Sequence, residues 1–327
     1  MGGVMFIKSC ALCCAPSNAR VAVTVIGAKL ASPDVADAEN VNKVAGCVAL
    51  KGFATNVGCT PEGNPETENC KLETTMHFVR KDSIVRKIWG KSDTILFIFA
   101  GAAAEFALNK AVDWLYFTGR LPSDPLGRLF STVTYARLIV FAENEDALKA
   151  IDSMARIHSK VEENRGQKIP DWAYRDVLFM LIHYSIASFE LLERKLKNDE
   201  KEEVFNVFYR VGARMGLKDL PVNYGEWLIM RQGHLKNDMF KSEYTIDLFK
   251  QYKKHLGRMR YFLLVEGQKL VVPGEVLQLL QFSNFSFLSP VIPLYKLSRL
   301  IKMDAVIKAA ILPSKYAQQI RRLDIVN

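Results

Sequence analysis

Five histidines occur in this 327-residue chain, and two of them, His158 and His183, stand in apolar surroundings. The spacing around His158 gives it a direction. At helical intervals Ile151, Met154, His158 and Val161 form one stripe, while Lys149, Asp152, Lys160 and Glu163 fall largely off it, so the imidazole should face the interior. A neutral imidazole aimed into an apolar helical cavity is what a haem iron needs as its proximal ligand. The plainer reading is a core histidine whose ring N–H bonds a backbone carbonyl. His183, in Leu181-Ile182-His183-Tyr184, lies on a segment apolar nearly all round, where no stripe singles it out. Arg128 and Thr132 are four apart and share a helix face. The arginine can pair with a haem propionate or polarise bound oxygen, and the threonine can donate to that oxygen or hold a water; a solvated Arg and a groove-filling Thr are the plainer alternatives. Glu105, between Ala104 and Phe106, is a candidate proton acceptor with a raised pKa, against a stripe-end glutamate that reaches solvent or pairs with a lysine.

These side chains need elements to carry them. From about residue 82 the chain reads as helix after helix, with no sustained period-two alternation. Asp93 is placed to cap a long apolar helix reaching about Phe117, which the stretch Gly119 to Pro125 ends. Asp124-Pro125, a cap followed by proline in the first turn, opens a helix to about Phe141. Asn144 begins one that ends near Glu163, before Asn164-Arg165-Gly166; Asp171 caps another to about Lys197; Asn198 starts a fourth, ended by the Gly216 and Pro221 region. Further helices are predicted at about 224 to 238, 245 to 266 and 294 to 322. The pattern predicts an all-α fold, a single large multi-helix domain. It contains no G-x-G-x-x-G after a strand, no G-x-x-x-x-G-K-[ST], no H-E-x-x-H and no G-x-S-x-G, so the usual nucleotide-binding and hydrolase chemistries lose support.

One set of residues carries a family resemblance. Asp124 to Ala136 reads Asp-Pro-Leu-Gly-Arg-Leu-Phe-x-Thr-x-x-Tyr-Ala; Ile139-Val140-Phe141 follows, then Ala147 to Val161 with Ile157-His158, then Trp172 and the segment through His183 to Glu190. Their order and spacing resemble the catalytic domain shared by rubber oxygenases (latex-clearing proteins) and the ER-bound oxygenase of mycophenolate biosynthesis, over roughly residues 85 to 240. The resemblance implies a globin-like helical core and haem b bound through one histidine. Carried over by position, His158 would be the axial ligand, and Arg128 and Thr132 would match the family's distal Arg-x-x-x-Thr. Two departures stand out. Rubber oxygenases place a lysine just before that threonine, where this chain has Ser131, and many relatives have a His-Pro where this chain reads Leu108-Asn109-Lys110-Ala111-Val112. Polyisoprene cleavage is therefore not implied.

The rest of the chain is unlike this body. All six cysteines lie in the first 70 residues, which hold only Phe6 and Phe53 of the 34 aromatics and carry net charge −1, against +10 for residues 71 to 327. Too few large apolar side chains are present there to offset chain entropy, so residues 1–74 are expected to be a poorly ordered tail ahead of a helical domain at 75–327. Cys10-x2-Cys13-Cys14 lacks the second close pair that a zinc site needs, and a cysteine-free body fits a reducing, cytoplasmic setting. The basic end, with Lys296, Arg299, Lys302, Lys308, Arg321 and Arg322 among Leu and Ile, suits either an anionic membrane surface or packing on its own domain. Nucleic acid is not expected as a partner, because basic residues are interleaved with acids, as in Lys197 to Glu203. The resulting expectation is a haem b-dependent oxidoreductase that takes molecular oxygen and an apolar, isoprenoid-type small molecule. Its rival is a catalytically silent helical protein, a haem carrier or a membrane-surface interaction protein.

Overall fold

The computed structural model describes residues 76–119 and 123–300, with the backbone alone at 125, 126, 128–130 and 300; all lie in one compact unit, Thr55–Asn327. The expected tail at 1–74 and the basic segment beyond 300 lie outside the described residues. Eleven helices follow one another here: α1 (Ile84–Trp89), α2 (Ser92–Phe106), α3 (Val112–Phe117), α4 (Pro125–Phe141), α5 (Asn144–Arg165), α6 (Asp171–Leu192), α7 (Asn198–Arg214), α8 (Tyr224–Asn237), α9 (Glu243–Val271), α10 (Gly274–Leu280) and α11 (Val291–Leu300). Among the described residues the extended pairings are two isolated bridges, His77 with Glu143 and Asn109 with Met239. The described residues are all-α, as the pattern predicts.

Local chemistry sets several of the ends. Asp124 accepts from the Gly127 N–H at 3.0 Å and Asn223 from the Glu226 N–H at 2.9 Å, each satisfying an amide that the first helical turn leaves open. Gly166 ends α5 at φ 68°, a left-handed position that glycine takes without Cβ strain. Other expectations need correction. Asp93 sits inside the first turn of α2, its Oδ1 accepting from Thr94 N, and Lys91 is the residue before the helix. Pro170, not Asp171, precedes α6, which stops at Leu192 rather than Lys197. The helix expected through 245–266 bends at Gly257 (φ 74°, ψ 171°) and continues to Val271.

The correction with most consequence is the end of α2. The expected helix to Phe117 is broken at 107–111, where Asn109 Oδ1 accepts from Ala111 N at 2.8 Å. The interrupted backbone pairs with the end of α8: Lys110 N donates to Asp238 O (2.9 Å) and Phe240 N to Leu108 O (2.6 Å). Thr245 Oγ1 donates to Ala107 O at 2.6 Å. Carbonyls that a helix end leaves unsatisfied are thus taken by distant segments.

Helices α2 and α6 form the centre, with α9 and α7 packed alongside. The small residues Gly101-Ala102-Ala103-Ala104 let α6 approach closely; a Cβ on Gly101 would lie 2.3 Å from the Tyr184 ring. Trp89, fully buried, packs edge-on to Phe99 and against Phe208, and its indole N–H donates to Ser185 Oγ at 3.2 Å. No described helix is long and apolar enough to cross a membrane.

Candidate functional site

The α4–α5 hairpin carries the residues that the sequence singled out. Its link is the two residues Ala142 and Glu143, so heights along the two helices follow from counting. Arg128 is fourteen residues before the link and His158 fifteen after it, about 21 and 22 Å along their axes at 1.5 Å per residue, while Thr132 stands about 15 Å along α4. Arg128 and His158 therefore share a level on adjacent helices; the Arg128 side chain lies outside what is described, and Thr132 is half-buried. His158 is half-buried as well. Its Nδ1 lies 2.8 Å from the Met154 carbonyl, one turn back. A carbonyl can only accept, so Nδ1 carries a proton. The ring meets Tyr174 of α6 edge-on at 5.3 Å, and the Tyr174 hydroxyl donates to Glu162 at 3.0 Å.

Glu105 is elsewhere. Tyr174 and Asp176 are two residues apart on α6, about 200° around the helix, so His158 and the Asp176 side lie on opposite faces of α6. On that second face is a buried polar network that the sequence reading missed. Arg231 of α8 donates through Nη1 and Nη2 to the two oxygens of Glu105, both at 2.5 Å. Tyr184 OH donates to Glu105 Oε2 at 2.7 Å. His234 Nε2 is 3.1 Å from Glu105 Oε1, and its Nδ1 is in close contact with Asp176 Oδ1, although neither contact is aligned as a linear hydrogen bond. Asn109, set by the break in α2, donates to Asp176 Oδ2 at 2.8 Å. Glu105 and Tyr184 have no exposed surface.

The electrostatics follow from this geometry. Burial by itself would raise the Glu105 carboxyl; the charge and hydrogen bonds of Arg231, with His234, outweigh it and hold the carboxyl well below the ordinary range. The raised pKa expected for Glu105 is therefore wrong, as is the idea that it reaches solvent or pairs with a lysine. Burial opposes the positive charge of His234, but the carboxylates of Asp176 and Glu105 against its two ring nitrogens prevail and raise its pKa. The Tyr184 hydroxyl is pushed up by burial and by the Glu105 charge beside it. Next to it, His183 is pushed down to about 4 by burial first and then by Arg231; its Nε2 is buried without a hydrogen-bond partner. Asp176, His234 and Asp238 bring donor atoms within 4.8 Å of one another, which could hold a metal ion once His234 gave up a proton.

A signal for this network was available. Trp227, Arg231 and His234 recur at helical spacing, as do Ala173, Asp176, Met180 and Tyr184, so charged residues sit on otherwise apolar stripes. A charge on a buried stripe requires a partner.

A comparison at the level of families covers the α4–α5 hairpin and the buried network. Residues 87–243, just under half of the chain, match the family described as ER-bound oxygenase mpaB/B'/Rubber oxygenase, catalytic domain, which supports the resemblance read from the sequence. The segment is thus an oxygenase-type oxidoreductase domain. No curated protein and no solved structure matches the chain.

Proposed function

We propose that the chain is a haem-dependent oxygenase with His158 as the axial ligand, acting with molecular oxygen on an apolar, isoprenoid-type small molecule. The observation that carries this reading is the His158 ring: the bond to Met154 O occupies Nδ1 and fixes the ring against rotation, and in the neutral imidazole Nε2 is then the nitrogen that can ligate iron. The same bond would serve a core histidine, so the level shared with Arg128 and the family of residues 87–243 are what tip the balance. Haem b, when bound, supplies the oxygen chemistry. The chain's own part is to ligate through His158, to offer Arg128 to an anionic or oxygen-bearing group, and to donate or hold a water with the Thr132 hydroxyl. Glu105 has no place in this reading as a base, since both its oxygens are already engaged. Ser131 in place of a lysine argues for a substrate other than polyisoprene.

Absorption spectroscopy tests it. The purified or haem-reconstituted protein should show a Soret band in the ~400–430 nm region expected of protein-bound haem. His158→Ala should lose haem and keep its far-UV helical spectrum, Arg128→Ala should lose more turnover than haem, and His183→Ala should retain haem. A parent chain that takes up no haem under any reconstitution returns the silent helical scaffold in its place.

A further inference from the structure

The cations of the body are not all interleaved with acids. Between Asp247 and Glu266 no acidic residue occurs, while Lys250, Lys253, Lys254, Arg258 and Arg260 supply five positive charges around the bend at Gly257. Lys250, Lys253, Lys254 and Arg258 are exposed, and none of these four forms an ion pair or hydrogen bond among the described residues. Uncompensated cations that crowd one short stretch attract a negatively charged surface.

Beside this stretch, apolar side chains are held out in water. Past the bend, Arg258, Met259 and Phe262 fall within one helical turn, with Met259 72% and Phe262 44% exposed. In the segment joining α10 to α11, Phe285 and Phe287 are 56% and 62% exposed. Phe287 lies 6.2 Å from Phe262 and 5.4 Å from Phe285, so the three rings make one cluster. Their exposure is built in. The residue between them, Ser286, is buried and donates to Glu266 O at 2.8 Å, and Phe287 N donates to Glu266 Oε2 at 2.7 Å. The segment is pinned to α9 through Ser286 and the Phe287 amide, leaving the two phenyl rings on the solvent side.

We propose that this face docks the protein on an anionic lipid surface, with Lys253, Lys254 and Arg258 against the headgroups and Phe262, Phe285 and Phe287 entering the interface. Charge complementarity and the rings together select this occupant. Rings with no hydrogen-bonding atom gain by leaving water at the headgroup boundary, whereas a duplex read at its base edges would need polar groups among them, and a single strand stacking on the rings is an outcome that the test separates. Each Lys or Arg close to an anionic leaflet contributes about a fivefold gain in partition. The inference is independent of the haem reading and uses a different segment from the C-terminal basic end.

The full chain is sedimented with vesicles of phosphatidylcholine, with and without about 30% phosphatidylserine. Preferential binding to the anionic vesicles, weakened by salt, is expected. Lys253→Glu/Lys254→Glu should lower it by about 25-fold or more. Phe285→Ser/Phe287→Ser should remove the part that survives high salt, with the helical spectrum unchanged. Absence of binding, equal binding to neutral vesicles, or parental binding by both variants overturns the proposal. So does tighter binding to a DNA or RNA duplex, or to a single-stranded oligonucleotide, than to the vesicles, or a dimer in solution that the phenylalanine variant dissociates.

Discussion

A buried carboxylate that meets two cations sets how the molecule responds to pH. Glu105 is held low, so its contribution is present above its unfolded value of about 4.3 and is lost as pH falls. His183, lowered to about 4, acts in the same direction: below about 6.5 the unfolded chain takes up a proton that the folded ring refuses, and stability declines. His234 is raised and acts oppositely. Its contribution is complete below about 6.5 and fades as pH climbs toward its folded value. Melting followed by circular dichroism should peak between about pH 6 and 7 and fall on both sides. His183→Gln should flatten the acid side, and a profile that rises steadily to pH 9 would contradict the assignment for His234. Of these residues the sequence reading named Glu105 and His183 and gave Glu105 the wrong sign. Spacing shows which face a side chain occupies, not what stands opposite. The partner that decides the sign of the Glu105 shift is 126 positions away, on α8, and no local pattern links the two.

At the scale of elements, starts were legible and one break was not. Asp124-Pro125 and Asn223 act through bonds three residues away, and such local chemistry can be read directly. Ala107 to Ala111 carries an apolar pattern that continues the helix, yet the backbone there bonds to 238–240, a tertiary contact that overrides propensity. The α2–α6 contact offers a test. Gly101→Ala places a methyl within 2.3 Å of the Tyr184 ring and must push the helices apart or turn the tyrosine away from Glu105. Overpacking of this kind costs about 1–3 kcal/mol, which urea unfolding should register as a lower midpoint with an unchanged slope. Gly233, which has open space at its Cβ position, should accept alanine with little change or a gain.

Over the whole molecule, the split in composition carries its own expectation. Residues 1–70 hold two of 34 aromatics and so contribute little apolar burial. A chain shortened to begin near residue 71 should melt within about 5 °C of the full protein; a larger drop would mean that more than ~1 kcal/mol of the domain's stability resides there. The all-α class was legible because a period near 3.6 recurs from residue 82 onward. The bent course of α9 was not: a single glycine inside an apolar-periodic run gives no warning of a φ of 74°.

The Glu105–Arg231 pair also has a bearing on biosynthesis. At ~5–20 residues per second, the 126 residues between them occupy a ribosome for roughly 6–25 s. Helix α6 is finished at Leu192, so only the last 39 of those residues, roughly 2–8 s of synthesis, separate a completed α2 and α6 from the counter-ion of Glu105. Closing the two helices before α8 exists would bury a carboxylate without its arginine, an arrangement that desolvation disfavours. A chain cut short before Arg231 is therefore expected to close its centre poorly, and limited proteolysis of such a truncation should cut within α2 or α6 faster than in the full chain.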